Sequence, residues 1–126
     1  MIYRIPNLKL LFELHNKARE QSWLWKKKPL LLDNSLSAYA SKWAEYMADV
    51  NTLLHSPASR ILSMDFSMAG ENIASGFKTE YDVMTYWMNS LSHKNNIMNS
   101  KYTHIGCGFS YSNQDILYWC VCFGKK

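Results

Sequence analysis

The 126-residue chain is short of cysteine, of long apolar stretches and of charge runs. Its three cysteines, Cys107, Cys120 and Cys122, are an odd number and a poor disulfide framework. They are read as reduced thiols serving as small buried hydrophobes. No stretch approaches the roughly 20 apolar residues of a membrane-spanning helix, which excludes a transmembrane segment. The opening MIYRIPNLKLLFEL is broken by Pro6, Lys9 and Glu13 and precedes no small-residue cleavage site, so it is not read as a signal peptide. The chain is expected to act without classical secretion or to have lost a leader, and reduced thiols favour an intracellular or assembly-associated setting. Formal net charge is +4, with much of the excess in Lys26-Lys27-Lys28 and Lys125-Lys126. Two short basic clusters without a recognition motif read as solvated surface, and nucleic-acid binding is not expected. Repeats, linkers and low-complexity segments are absent, as are the H-E-x-x-H helix of zinc proteases and the G-x-S-x-G elbow of serine hydrolases.

What is present is bulk for a core: 48% hydrophobic residues, with five Trp, eight Tyr and five Phe. The length predicts a single domain over residues 1–126. Helical spacing of Leu8, Leu11, Phe12 and Ala18 predicts a helix over 7–20, with Asn7 as its cap after Pro6. His15 and Asn16 lie on or beside that apolar stripe and need partners if buried. A loop follows over Trp23–Lys28, then a short extended piece over Pro29–Leu32. Asp33 or Asn34 caps a second helix to about Asn51, whose buried face is Leu36, Tyr39, Ala40, Trp43, Met47 and Val50. Asn51–Asp65 is mostly loop, with one turn opened by Pro57.

Phe66–Gly76 reads as a strand. Thr79 caps a third helix over 79–91, with Val83, Tyr86, Trp87 and Leu91 facing inward. Ser92 caps a brief helical turn over His93–Met98. Thr103–Tyr111 and Ile116–Phe123 are strands joined by a Ser112–Asp115 turn, which sets Cys107 opposite Cys120. A direct cross-strand bridge there is strained. Period-two alternation puts Cys120 and Cys122 on one sheet face. Helices followed by strand, helix and hairpin predict a layered α+β domain.

Three pieces carry chemistry: Leu54-His55-Ser56-Pro57, Gly70-Glu71-Asn72-Ile73 and the segment from Trp87 to Gly108. Together they supply two imidazoles, His55 and His93, and one carboxylate, Glu71. Two histidines and a carboxylate with an open water position are a known zinc arrangement, so Zn or another divalent cation is the cofactor to look for. Glu71 is read as a third ligand or as a partner that orients a histidine. The alternative is a polar cleft held by hydrogen bonds, with imidazoles titrating near neutrality. His104 is a fourth candidate, better read as a surface or pairing residue. Ser90, three residues before His93, is drawn as a Ser–His pair or as a satisfied hydroxyl at a helix end. The cysteines have no activating base beside them in sequence, and no thiol nucleophile is expected.

The sequence resembles the CAP superfamily of cysteine-rich secretory proteins, antigen 5 and pathogenesis-related-1 proteins, also called SCP-like domains. The resemblance is carried in order by His15-Asn16-Lys17-Ala18-Arg19, Pro29-Leu30, His55-Ser56-Pro57, Gly70-Glu71-Asn72-Ile73-Ala74 and Trp87-Met88-Asn89-Ser90. It continues through His93, Asn96-Ile97, Gly106-Cys107-Gly108, Tyr118-Trp119 and Phe123-Gly124. It is closest to the short bacterial-type members. It implies a three-layer α-β-α sandwich with a central antiparallel sheet and an open cleft lined by His55, His93 and Glu71, with Ser90 and Asn72 beside them. Many members have a second acid where this chain has Ser90, and neither the family's leader nor its disulfides are expected here, although its members are usually secreted. Asn16 and Arg19 read in this family as structural, tying loop backbone to the core. The implied function is a binding module whose cleft holds a divalent cation and a glycan, peptide or lipid. The alternatives are a structural or interaction protein of a larger assembly and, third, a metal-dependent hydrolase acting on peptide or cell wall.

Overall fold

One strand, β4 (Leu117–Lys125), is buried along most of its length and runs inside a four-stranded sheet. The computed structural model describes residues 4–22 and 27–126, so the loop expected over Trp23–Lys28 falls mostly outside the described residues. The other strands are β1 (Leu31–Leu32), β2 (Met68–Ser75) and β3 (His104–Tyr111), in the order β1-β3-β4-β2. β4 is antiparallel to both its neighbours, and the two-residue β1 adds a parallel edge to β3. Five helices accompany the sheet among the described residues: α1 (Leu8–Glu20), α2 (Asn34–Val50), α3 (Ala58–Leu62), α4 (Glu80–Met88) and α5 (Leu91–Met98).

Alternation along β4 divides the interior into two cores. Tyr118, Cys120 and Cys122 pack with Ile73 against Leu36, Ala40, Trp43 and Met47 of α2. Trp119, Val121 and Phe123 face the other way, with Ile105 and Cys107, and meet Leu11 of α1, Val83 and Trp87 of α4 and Ile97 of α5. The domain is therefore a helix–sheet–helix sandwich, the α+β three-layer architecture that the residue order and the family resemblance imply. α2 sits flush on β3 because Gly106 and Gly108 lack side chains. A Cβ at Gly106 would collide with the backbone of Leu36 and Ser37, and one at Gly108 with that of Ala40 and Ser41.

The helix starts follow local chemistry. Asn7 accepts from the Leu10 amide at 3.0 Å, Asp33 from Leu36 at 2.8 Å and Thr79 from Asp82 at 3.1 Å. The buried stripe of α2 runs through Leu36, Ala40, Trp43, Ala44, Met47 and Ala48 and would next reach Asn51. Asn51 instead adopts the left-handed conformation, φ 52°, and ends the helix. Val50, expected on the inner face, lies off that stripe and is 44% exposed.

The expected third helix divides. α4 stops at Met88 and a new axis starts at Leu91, so Leu91 is 75% exposed instead of facing inward. Tyr86 is also largely outside, stacked on Phe77 at 4.8 Å between ring centroids. Ser90, not Ser92, holds the N-cap position of α5.

The hairpin register differs from expectation by one residue. The loop has three residues, Asn113, Gln114 and Asp115, closed by the Ser112 amide donating to Ile116 O at 2.8 Å, with Asp115 at φ 63°. Cys107 consequently pairs with Val121, and Gly108 with Cys120. A one-residue shift changes the face, so Cys107 and Cys120 lie on opposite sides of the sheet.

Two polar side chains of α1 tie it to the loops, and a third lies buried in the core beside them. Asn16 donates to Leu30 O at 3.0 Å and accepts from Leu30 N at 2.7 Å. The buried Arg19 guanidinium donates to the carbonyls of Lys28, Ile97 and Asn99 at 2.8, 2.9 and 2.9 Å. His15 donates from Nδ1 to Leu11 O at 2.7 Å and lies between the Trp87 and Phe123 rings, while its Nε2 is buried without a partner.

Two outcomes follow from this packing. Gly108→Ala is expected to destabilise the domain by about 1–3 kcal/mol, the range for forced overpacking, read as a lower midpoint in urea unfolding. Burial depresses the pKa of His15 from 6.5 to about 4. An imidazole kept neutral by folding binds its proton more readily in the unfolded chain. Its contribution to stability is complete above pH 6.5 and falls by roughly 1.4 kcal/mol per pH unit as pH drops toward 4. Comparing unfolding at pH 7 and pH 5 for wild type and His15→Leu should show the extra acid sensitivity in wild type alone.

Candidate functional site

β2 presents consecutive residues to its two faces, and it uses both. Glu71 pairs with Cys122 across the ladder and points to the α2 side. Its Oε1 accepts from the Ser56 amide at 2.9 Å and contacts His55 Nδ1 at 2.9 Å. Its Oε2 accepts from the Ser56 hydroxyl at 2.5 Å. The carboxylate is nearly enclosed, whereas the His55 ring is largely in solvent. Pro57 holds the N-cap position of α3, and the His55-Ser56 pair just before it bonds Glu71 on β2.

Asn72 serves the other face. Buried completely, it donates to the backbone carbonyl of His93 at 3.0 Å and accepts from Asn96 Nδ2 at 2.9 Å. Asn96 also reaches the Glu71 carbonyl, at 3.3 Å. The first turn of α5 is thereby fastened to β2, with His93 beside it.

His93 Nδ1 lies 2.8 Å from Ser90 Oγ. The serine at the N-cap position makes no side-chain cap bond; its hydroxyl goes to the imidazole instead. Burial, and secondarily the neighbouring His55, hold the His93 pKa below its ordinary value. The ring is therefore neutral at neutral pH, the form that ligates metals. It packs 5.4 Å from Tyr86 between ring centroids.

The structure thus brings His55 and Glu71 into direct contact, and sets His93 near enough to feel the charge on His55. The bonds of the Glu71 carboxylate run to His55 and Ser56. Among the described residues, the set of three ligand-bearing side chains whose atoms all lie within 4.8 Å of one another is Glu71, Cys120 and Cys122. His104 stands apart, hydrogen-bonded to Thr103 at 2.7 Å and lying against Phe66. Sequence reasoning did not give Ser56, Asn96, Cys120 or Cys122 a role around Glu71. The Cys-x-Cys spacing signals only that both thiols share one face; the pairing of Glu71 with Cys122 makes it the face of the carboxylate.

A hollow of about 200 Å³ opens on Glu71 between His55, Ser56, Ala58, Ile61 and Gly70. A larger one, about 570 Å³, adjoins it through His55 and is lined by Tyr39, Trp43, Tyr46, Lys42 and Arg60. Trp43 and Tyr46 have ring centroids 4.9 Å apart, with Arg60 over the Trp43 ring at 5.9 Å.

All three cysteines are free and buried. Burial pushes the Cys107 and Cys120 thiols well above their usual range, which leaves them protonated and slow to react. Native-state labelling with an alkylating reagent should modify no cysteine on the time scale that modifies all three in denaturant. Rapid native labelling would contradict this burial.

Residues 12–123 match the family model described as CAP, the cysteine-rich secretory protein family. The chain is 39% identical over 109 residues to the uncharacterized protein YkwD of Bacillus subtilis (strain 168), a match covering 80% of this chain and 41% of that protein. It therefore spans less than half the length of that relative. An outer surface protein of Borrelia burgdorferi superposes with a TM-score of 0.85 at 27% identity, covering 94% of this chain and 92% of that one. An extracellular SCP-domain protein of Bacillus anthracis superposes with a TM-score of 0.79 at 25% identity, covering 94% and 40% respectively. Among the described residues no helix is long and apolar enough to cross a membrane.

Proposed function

Because the chain belongs to the CAP, or cysteine-rich secretory protein, family, we propose that it is a binding module whose cleft holds a divalent cation between His55 and His93 and grips a ligand in the hollow alongside. The observation that carries this reading is the way the two rings are tied. Each imidazole is held through Nδ1, His55 by the Glu71 carboxylate and His93 by the Ser90 hydroxyl. Each therefore has Nε2 left for an ion. A carboxylate behind a ligating histidine fixes its ring and raises its basicity. Glu71 takes that orienting role here. Ser90, at the position where many family members carry an acid, does the corresponding work for His93.

The donor set fits a borderline cation such as Zn²⁺: two neutral nitrogens, with water completing the coordination. When bound, such an ion supplies a positive point that polarises or anchors an oxygen-bearing ligand. Of the ligand classes open to the fold, the adjoining hollow favours a glycan with an acidic group. Its paired Trp43 and Tyr46 rings suit a sugar face, and Lys42 and Arg60 supply positive charge.

Hydrolysis is less well supported. Ser90 and His93 are in contact, but among the described residues no bond joins a carboxylate to His93 to orient it. A serine nucleophile needs both a base and an orienter for it.

Isothermal titration with ZnCl₂ on wild type and His93→Ala tests the cation. The wild type should bind one ion, more weakly as pH falls through the imidazole range, and the variant should lose the binding while keeping its far-UV circular dichroism. Equal, weak heats from both proteins would leave the cleft as a hydrogen-bonded structural site, and the chain as an interaction protein that works through its surface.

A further inference from the structure

Beneath the histidine cleft lies a second cluster of different chemistry. Cys120 and Cys122 project from β4 on the α2 side with their sulfurs 3.7 Å apart. Each sulfur is 3.9 Å from the same carboxylate oxygen, Glu71 Oε2. We propose that Cys120, Cys122 and Glu71 form a site for a thiophilic divalent cation of the Zn²⁺ and Cd²⁺ class, separate from the imidazole pair.

Three observations support it. The first is size. Separations of 3.7, 3.9 and 3.9 Å put the centre of the triangle about 2.2 Å from each atom, close to the roughly 2.3 Å of a Zn–S bond and 2.0–2.2 Å of a Zn–O bond. The ligands need almost no rearrangement. The same sulfurs are too far apart for a disulfide, which requires about 2.05 Å, and their places two residues apart on one straight strand oppose closing that gap.

The second is the surroundings. The buried Tyr39 hydroxyl has the Ser56 side chain as its near hydrogen-bonding neighbour and lies within electrostatic reach of Cys122 and Glu71. A phenol both donates and accepts. An ion in the triangle, or a water on that ion, gives this oxygen a further partner. The third is access. Both sulfurs are fully buried, but Glu71 forms the floor of the small hollow beside His55 and Ser56, so an ion reaches the sulfurs by way of the carboxylate.

The chemistry balances without a redox partner. Two S–H bonds break, two S–M bonds form, and two protons leave to solvent for each ion taken up. Two thiolates and a carboxylate around a dication leave one net negative charge. A monovalent soft ion would leave two and is disfavoured in so enclosed a place.

The inference shares Glu71 with the proposed function but does not depend on the histidines, and the experiment separates them. The protein is titrated anaerobically, with a phosphine reductant that does not bind metal tightly, using CoCl₂ and then CdCl₂. Thiolate-to-metal charge-transfer absorption is the readout. Wild type should give a saturable band at one equivalent, with release of two protons. His93→Ala should keep the band, whatever becomes of its zinc heat. Cys120→Ser and Cys122→Ser should each lose it, and Cys107→Ser, altered on the opposite face, should keep it. Circular dichroism verifies that the serine variants are folded. Protection of two of the three wild-type thiols from alkylation in partial denaturant, only when Cd²⁺ is present, supports the same assignment without any variant. Absence of a band in wild type, or a band that survives in the Cys120→Ser/Cys122→Ser double variant, overturns the site.

Discussion

The structure depends on the alternation of one strand. β4 is buried on both faces, so each of its residues must suit one of two different cores. Its odd positions, Trp119, Val121 and Phe123, give α1, α4 and α5 something to cover. Its even positions, Tyr118, Cys120 and Cys122, are smaller toward the carboxyl end and admit the Glu71 side chain from the neighbouring strand. A carboxylate placed against the larger odd-numbered set would be buried among aromatic rings with nothing to hydrogen-bond it. On the thiol side it is reached by Ser56 and His55 from the loop that precedes α3.

From that placement the cleft follows. Glu71 and Asn72 are adjacent in sequence and project to opposite faces, so one strand fastens two segments that are far apart in the chain: the His55 loop by side-chain contacts, and the start of α5 by its backbone. The carboxylate is satisfied before any ligand arrives. This is why we assign it to holding His55 and not to filling a coordination position beside both rings. Preorganisation of this kind removes ordering cost from binding. It also gives Ser90 a defined task, since a hydroxyl aimed at the His93 ring replaces a bond that would otherwise cap α5.

Much of this was legible in the residues, and the failures have physical causes. The caps Asn7, Asp33 and Thr79 announced their helices because their side chains accept amide protons that the first turn leaves without an intrahelical partner. The common face of Cys120 and Cys122 followed from period two alone. The pairing of Cys107 did not, because register depends on loop length, and Asp115 in the left-handed region makes a three-residue loop where four residues look equally suitable. The break between α4 and α5 was hidden because Asn89 and Ser90 are compatible with helix, and it shows only in the extended backbone at Ser90. The proximity of the cysteines to Glu71 needed the β2–β4 register, which no local pattern encodes.

The central claim is that both histidines are held by Nδ1 and present Nε2 to the cleft. Two-bond ¹H–¹⁵N correlation spectra of the imidazoles at neutral pH read this directly, because nitrogen shifts distinguish a protonated from an unprotonated ring atom. The account predicts Nδ1–H tautomers at His55 and His93, with only their Nε2 resonances moving when Zn²⁺ is added. Nε2–H tautomers at both rings, unchanged by the ion, would contradict it.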